Sequence, residues 1–266
     1  MKNQIAENCT FGIHPVTELV ENQPERIDHL YFEQDRQSLP LFELMKTCRA
    51  RRLAYQVLPR NRLDQLTGTD KHQGVVAVCS AKPYTTTEEF ERLIAGKDAP
   101  LLFLPASIED PRNLGALIRS CVAFGVDAML LERRNTAPLS STVAKSSAGM
   151  LEHMPIVKPK NLEGLVGSLR DKGFGVIGAV AGAPYEPSSV DLTSPTIIVT
   201  GGEHRGVPPY LQKQCTALVG IPIDPRAESL NVSVAGAILL YECRRQRKLR
   251  NSDCGLQIEK KGSVSS

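Results

Sequence analysis

Short apolar runs and helical segments alternate through the first eighty residues of the chain. The runs HLYF, LAYQVL and GVVAVCS are separated by LPLFELMKTCRARR and RNRLDQL. Short apolar runs bounded by polar or turn-forming residues are typical of strands, whereas apolar positions three or four residues apart are typical of amphipathic helices. The pattern therefore predicts a small α/β sandwich over residues 1–80.

A more regular alternation begins at Pro100. Its strand-like runs are LLFL, AMLL, GVIGAV, TIIVT and ALVGIPI, and segments of helical character separate them. Nearly continuous apolar strands that alternate with helices are typical of a parallel sheet covered on both faces. The pattern predicts a second α/β domain over residues 99–250. A linker is expected at 81–98, where Pro83 and three threonines interrupt the periodicity.

The last helix is predicted from about Leu230 to Leu249, where it ends in the basic run RRQRKLR. The polar residues 251–266 are expected to form a disordered tail.

Composition narrows the class of protein. The chain has 266 residues, 41% of them apolar and 23% charged, and a net charge of +3. A chain of this length and composition can bury two cores. No apolar run approaches the ~20 residues of a membrane span, so we expect a soluble cytoplasmic protein. The seven cysteines show no metal-ligand spacing, so we expect reduced thiols and no metal site.

One glycine motif resembles a dinucleotide site but stands in the wrong context. Residues Gly173–Gly178 read GFGVIG, which matches the spacing G-x-G-x-x-G. In such sites a strand precedes the glycines and a helix follows them, so that the helix N-terminus holds the pyrophosphate. Here the helical segment comes first. We therefore interpret Gly173 as a helix C-cap.

The segment IEDPRNLGALIRSC combines a helix start with unexplained polar residues. Asp110 followed by Pro111 is typical of an N-cap and a first helical residue. Arg112 and Arg119 are seven residues apart and share a helix face, which favours a solvated arginine face. Asn113 and Arg119 are six apart, so they can act together only if Asn113 precedes regular helix.

The segment TIIVTGGEHRGVPPYLQ runs from a buried strand into two glycines. Glycines at this end of a strand allow a ligand to approach the backbone, although a tight turn without a ligand explains them equally well. Glu203 is harder to explain, because a carboxylate in an apolar crevice is costly unless it is paired. We expect a polar partner such as Arg119 or a substrate.

The segment SLNVSVAGAI begins the last helix. Ser229 and Asn231 fit an N-cap region, and the small residues of VSVAGA permit close packing of a core or interface helix.

Taken together, DPRNLGALIR, TGGEHRGV and SLNVSVAGAI resemble the three motifs of the SpoU (TrmH) branch of the SPOUT methyltransferases. The resemblance covers roughly residues 100–247 and is close to the branch's 23S ribosomal-RNA guanosine 2′-O-methyltransferases. In the first domain, FGIHPVTELV and HQGVVAV resemble the family's RNA-recognising domain, whose fold is akin to ribosomal protein L30e. The resemblance implies S-adenosylmethionine-dependent 2′-O-ribose methylation of RNA. It also implies a deep trefoil knot in the parallel-sheet domain and a homodimer formed through that domain.

The resemblance also implies roles for individual residues. The catalytic and substrate-positioning set would be Asn113, Arg119, Glu203, Ser229 and Asn231. The cofactor-binding set would be Gly201, Gly202, Ile221 and Leu230. Arg112 and the pair His204–Arg205 depart from residues common in the family, which bears on the substrate and not on the reaction. A transfer-RNA ribose methyltransferase and a non-catalytic RNA-binding protein of ribosome assembly remain alternatives.

Two basic clusters could contact RNA phosphates, although such clusters are usually solvated faces. The first comprises Arg49, Arg51, Arg52, Arg60 and Arg62, with Arg112 as a further candidate in the second domain. The second comprises Arg244, Arg245, Arg247, Lys248 and Arg250. Few aromatic residues lie near either cluster in the sequence, which favours recognition of shape and phosphates over base stacking.

Overall fold

The structure, a computed structural model, describes residues 9–36, 38–202 and 206–262. These residues form two compact units. The first comprises residues up to Tyr84 together with Ala137–Lys145, and the second comprises Thr85–Thr136 and the residues from Ser146 onward. The expected linker at 81–98 is therefore divided between the units, and one segment from the middle of the chain belongs to the first unit.

The strands are β1 (Cys9–Phe11), β2 (Ile27–Glu33), β3 (Gln56–Leu58), β4 (Val75–Cys79), β5 (Leu101–Pro105), β6 (Ala128–Leu130), β7 (Ile156–Val157), β8 (Gly175–Ala179), β9 (Thr196–Thr200) and β10 (Ala217–Val219). The α-helices are α1 (Ile13–Asn22), α2 (Leu39–Ala50), α3 (Arg60–Thr67), α4 (Thr87–Ala95), α5 (Pro111–Phe124), α6 (Ser141–Ser146), α7 (Leu162–Asp171), α8 (Pro209–Gln212) and α9 (Val232–Gly262). Short 3-10 turns lie at Pro24–Arg26, Met150–His153 and Pro187–Ser189.

The first unit contains a mixed sheet in the order β1-β4-β2-β3. Strand β4 is antiparallel to both neighbours, and the edge strand β3 is parallel to β2. Helices α1 and α2 bury apolar residues such as Val16, Val20 and Leu44 against Phe32 and Val75 of the central strands. The predicted α/β arrangement of this part of the chain is confirmed.

A buried histidine fixes the loop before β4. The ring of His72 is fully buried, its Nδ1 accepts the backbone N–H of Gly74 at 3.0 Å, and its Nε2 lies 2.9 Å from Asp64 Oδ1. These two contacts satisfy both ring nitrogens, as a buried polar side chain requires. The histidine thereby ties α3 to the start of β4.

The second unit contains a parallel sheet, six-stranded among the described residues, in the order β10-β8-β9-β5-β6-β7. The predicted parallel sheet is confirmed, although the two-residue strand β7 was missed. Helix α4 belongs to this unit and starts in a capping box between Thr86 and Glu89. Phe90 of α4 is fully buried in the unit's core, so this stretch is part of the domain and not a linker.

The glycine motif at 173–178 has the structure expected of a helix end. Helix α7 precedes it and β8 follows it, and Gly173 lies in the left-handed region at φ 92°. The N–H of Phe174 donates to Leu169 O at 3.1 Å and the N–H of Gly173 donates to Arg170 O at 2.9 Å. These bonds form a Schellman motif, in which Lys172 is the C-cap and glycine is the next residue. The C-cap is thus Lys172, one residue before the predicted position at Gly173.

Helix α9 is longer than predicted, since it continues to Gly262 instead of ending near Leu249. Part of its basic run has a structural role. The guanidinium of Arg247 donates to the carbonyl oxygens of Leu192, Ala99 and Ser194 at 2.7–3.0 Å, and its burial lowers its pKa. Arg247 therefore holds the neighbouring loops against α9 through these hydrogen bonds. Over the described residues, no helix is both long and apolar enough to cross a membrane.

Candidate functional site

The sheet of the second unit has a topological switch point between β5 and β9. These strands are neighbours, but the chain leaves β5 towards β6 on one side and leaves β9 towards β10 on the other. Ligands of open α/β sheets bind in the crevice that such diverging connections leave at the carboxyl ends of the strands. The residues that follow β5 and β9 are therefore the first place to look for a site.

Two positions in the turn after β9 admit only glycine. A Cβ at Gly201 would overlap the carbonyl group of Gly206, and a Cβ at Gly202 would overlap the carbonyl oxygen of Ser107. The N–H of Gly206 donates to Gly202 O at 3.2 Å and closes the turn. The close approach at these glycines is made by the chain's own backbone, which fits the tight turn that was one of the two explanations offered by the sequence. Glu203 and the pair His204–Arg205 lie outside the described residues.

A carboxylate that sequence reasoning missed supports this turn. Glu132 follows β6, and its side chain accepts the O–H of Tyr210 from α8 and the N–H of Ser107 at 2.5 Å. Burial, reinforced by the bond to Glu132, raises the pKa of Tyr210. Ser107 is held in the left-handed region at φ 52°, where its carbonyl lies against Gly202. Glu132 thereby joins the ends of β5 and β6 to α8.

Helix α5 begins as predicted. Asp110 caps it by accepting the N–H of Arg112 at 2.6 Å, and Pro111 is its first residue. The arginines Arg112 and Arg119 are both exposed, whereas Leu114 and Leu117 are buried.

The position of Asn113 corrects one expectation. Asn113 is the third residue of α5. It does not precede regular helix, so helical geometry directs it about 120° away from Arg119. The two side chains therefore cannot form a single pair on one face of the helix. The partner of Asn113 lies elsewhere in the chain.

Asn113 meets Asn231, which lies 118 residues later. Asn231 Nδ2 donates to Asn113 Oδ1 at 3.1 Å. Asn231 Oδ1 accepts the N–H of Ser233 at 2.8 Å and its Oγ–H at 2.6 Å, which makes Asn231 the N-cap of α9. One amide therefore starts the last helix and ties it to the start of α5, and two residues of the expected catalytic set lie together.

The remaining residues of the expected site lie on the segment between β10 and α9. Ile221 comes two residues after β10 and is half-buried, Leu230 is also half-buried, and Ser229 is exposed. Just before Ile221, a Cβ on Gly220 would come within 3.1–3.2 Å of the backbone of Ala183. The segment after β8 therefore packs closely against the end of β10.

The small residues of α9 do bring it close to its neighbours. A Cβ on Gly236 would lie 2.6 Å from Leu117 Cδ2 and 3.0 Å from Phe103 Cζ. The interpretation of VSVAGA as a closely packed run is confirmed at Gly236, which lies against both α5 and β5.

The arginines expected to contact RNA are all exposed to solvent. They lie around α2 and α3 of the first unit at positions Arg49, Arg51, Arg52, Arg60 and Arg62.

Among the residues that the structure describes, no group of three His, Cys, Asp or Glu side chains could hold a metal ion.

Comparison with known families assigns both parts of the chain. Residues 100–241 match the model of the SpoU rRNA Methylase family, and residues 9–85 match a model described as RNA 2'-O ribose methyltransferase substrate binding. The first of these models to begin in the chain ends at residue 85, where the N-terminal stretch of the first unit ends, and the other lies mostly within the second unit.

Curated relatives match over most of their length. The 23S rRNA (guanosine-2'-O-)-methyltransferase RlmB of Shewanella oneidensis is 34% identical over 242 residues, which cover 91% of this chain and 98% of the relative. The protein of the same name from Nitrosomonas europaea is 34% identical and covers 93% and 95%.

Solved structures agree with this assignment. The SpoU methyltransferase AviRb from Streptomyces viridochromogenes, in complex with AdoMet, is 25% identical with a TM-score of 0.56 and covers 90% of each chain. An rRNA methyltransferase from Sinorhizobium meliloti, at 23% identity and a TM-score of 0.55 over 89% of this chain and 86% of that one, shares the fold. With the three motifs and the parallel sheet in place, the chain belongs to the SpoU family of RNA methyltransferases.

Proposed function

We propose that this protein transfers a methyl group from S-adenosylmethionine to a ribose 2′-hydroxyl of RNA, and that its substrate is 23S ribosomal RNA. The observation that carries the proposal is the pairing of Asn113 with Asn231, together with the closely packed glycines Gly201 and Gly202 after β9. Two of the three family motifs meet in that pair. The names of the relatives and the substrate-binding match of the first unit support ribosomal RNA.

The residues after β9 and β10 fit the cofactor. Thr200, directly before Gly201, is buried, and its hydroxyl has no hydrogen-bond partner among the residues that the structure describes. A buried hydroxyl without a partner is costly, and a polar ligand would satisfy it. Backbone groups at Gly201 and Gly202 and the half-buried side chains of Ile221 and Leu230 would hold the adenosine and methionine parts. When bound, the cofactor supplies an electrophilic methyl group.

Arg119 is proposed to act at the acceptor hydroxyl. A guanidinium stays protonated at neutral pH, so it is a poor base. Because the side chain is exposed on α5, it can pair with an RNA phosphate. In that position the guanidinium stabilises the developing alkoxide while water accepts the proton.

The other polar residues of the set are proposed to position the substrate. Asn231 is held by three hydrogen bonds, so its amide is preorganised and loses little entropy when RNA binds. Asn113 and the exposed Ser229 would contact the ribose, and Glu203 would hold a polar partner at the turn. The exposed Arg112 would contact phosphate.

Arginines of the first unit are proposed to hold the RNA backbone. The five arginines of this unit that were assigned to RNA in the sequence are exposed and surround α2 and α3. Exposed arginines release counterions from RNA when they neutralise phosphates. With ribosomal RNA as substrate, the cytoplasm is the place of action.

A homodimer is proposed through helices α5 and α9. Val234, Ile238 and Tyr241 lie on one face of α9 and, together with Ala116 and Ser120 of α5, line an open groove that is mostly apolar. Val234 and Tyr241 are 48% and 58% exposed. A contiguous apolar face of this kind is typical of an interface, and a second copy would bury the same face. The trefoil knot around the second and third motifs remains a prediction of the family resemblance.

The test is methyl transfer from labelled S-adenosylmethionine to unmodified ribosomal RNA and, separately, transfer RNA, followed by mapping of alkali-resistant ribose positions. We expect labelling of 23S RNA and none of transfer RNA. Arg119→Ala should abolish transfer and leave calorimetric cofactor binding near normal. Labelling of transfer RNA alone would establish the alternative substrate, and cofactor binding without any transfer would favour a non-catalytic role in ribosome assembly.

A further inference from the structure

Helix α2 carries a stripe of solvent-facing residues that includes two large apolar side chains. The stripe consists of Leu39, Phe42, Lys46 and Arg49, whose spacing of three, four and three residues places them along one helix face. Leu39 is 74% exposed and Phe42 is 53% exposed. The opposite face of the helix supplies the buried residues Leu41, Leu44 and Cys48. The α2 stripe is therefore not needed for the core of this unit.

Cations flank the aromatic rings of this surface. Lys46 Nζ lies 5.0 Å from the centre of the Phe42 ring. The guanidinium carbon of Arg49 lies 5.9 Å from the centre of the Tyr55 ring, and Arg49 Nε donates to the Tyr55 hydroxyl at 2.8 Å. These are cation–π arrangements, in which each cation lies over one face of its ring.

The surroundings of the α2 stripe are strongly positive. Between residues 39 and 62 there are six basic residues and a single acidic one, Glu43. Glu43 pairs with Lys46 at 3.1 Å, so the excess charge comes from the arginines. An exposed apolar ring within positive charge is complementary to a partner that combines flat apolar faces with negative charge. An unpaired stretch of nucleic acid is such a partner.

We propose that the α2 stripe is a stacking site for an unpaired base of the substrate RNA, with the Phe42 ring as its platform. Leu39 extends the apolar surface, and Arg49 and its neighbours contact the flanking phosphates. A regular A-form duplex covers the faces of its bases, so this site selects a loop or bulge. The inference rests on the proposed function, since it takes the substrate to be RNA. It revises the expectation of recognition by shape and phosphates alone.

The experiment compares two RNAs of equal length, a hairpin with an unpaired loop and a fully paired duplex, bound to the full-length protein at several salt concentrations. Phe42→Ala should weaken hairpin binding by about 5- to 150-fold, the range of stacking on one ring. It should leave duplex binding and the salt dependence unchanged. Phe42→Trp should restore hairpin affinity. Arg49→Gln is the matched control, because it should lower the salt slope by about one phosphate contact.

The possible outcomes separate this inference from the proposed function. Failure of the unmodified protein to bind or methylate RNA would overturn the proposed function itself. If the unmodified protein binds the hairpin and Phe42→Ala binds it equally well, the stacking site is refuted and the proposed function stands. Equal loss of hairpin and duplex binding also refutes it. A changed oligomeric state of Phe42→Ala, with RNA affinity intact, would instead identify the α2 stripe as a protein interface.

Discussion

Replacing Asn231 should loosen the start of α9 and its link to α5, and the structure separates these two effects. The side-chain atom of Asn231 that faces Ser233 must be the amide oxygen, Oδ1, because it accepts the backbone N–H of Ser233 at 2.8 Å. Its Nδ2 is then the donor to Asn113 Oδ1. Asn231→Ala removes both functions, whereas Asn231→Asp keeps the acceptor and removes the donor.

The expected magnitudes follow from the two kinds of bond. Loss of an N-cap costs about 1 kcal/mol. Loss of the hydrogen bond to Asn113 costs about 0.5–1 kcal/mol, near the low end of the usual range because water reaches the pair. Asn231→Ala should therefore destabilise the second unit by about 1.5–2 kcal/mol. Asn231→Asp should cost less than 1 kcal/mol, since a carboxylate is also favourable at a helix N-terminus.

The assay is urea unfolding combined with hydrogen exchange of the first turn of α9. A double-mutant cycle between Asn113→Ala and Asn231→Ala should give a coupling free energy of about 0.5–1 kcal/mol. The reasoning is refuted if Ala at 231 costs no more than Asp, or if the coupling is zero. Unchanged exchange at Ala235, whose N–H donates to Asn231 O at 2.9 Å, would show that the start of the helix does not depend on this cap.

Three further substitutions test the turn after β9 and the hydrogen bonds that Arg247 of α9 makes to the neighbouring loops. Gly201→Ala should overpack the turn, lower the free energy of unfolding by about 1–3 kcal/mol and abolish cofactor binding as measured by calorimetry. Gly167→Ala is the control and should do neither, because a Cβ has room at that position. Tyr210→Phe removes the hydrogen bond to Glu132, so it should raise the KM for the cofactor. The kcat and the circular dichroism spectrum should not change. An unchanged KM would count against a positioning role for Tyr210. Arg247→Ala removes three hydrogen bonds to backbone carbonyls and should lower the free energy of unfolding by about 1–3 kcal/mol, as followed by urea titration. Arg247→Lys should recover part of the loss.

Periodicity was sufficient for most of the second unit. The runs at β5, β8 and β9 are five residues long and buried or nearly so, and such strands stand out from the helices between them. Strand β7 has two residues and depends on its pairing with β6, so it carries no pattern of its own. Strand length explains which elements could be predicted.

The domain boundary could not be read from local composition. Pro83 and the three threonines do interrupt the periodicity, but Thr86 is a helix cap and Phe90 lies in the core of the second unit. A capped helix and a linker both begin with small polar residues, so the two interpretations diverge only when tertiary packing is known. The segment Ala137–Lys145 belongs to the first unit for reasons of packing as well.

The candidate site shows the same division between local and long-range information. The cap at Asp110 and the glycine turn are encoded in adjacent residues, so they could be predicted, whereas the pair of Asn113 and Asn231 joins positions 118 residues apart. Glu132 is an intermediate case of predictability from the sequence. It follows a buried strand, and the argument that a carboxylate at such a position needs a polar partner was applied only to Glu203. Applied to every strand of the sheet, that argument would have identified Glu132, because the cost of an unpaired carboxylate depends on its position at the sheet edge and not on membership in a motif.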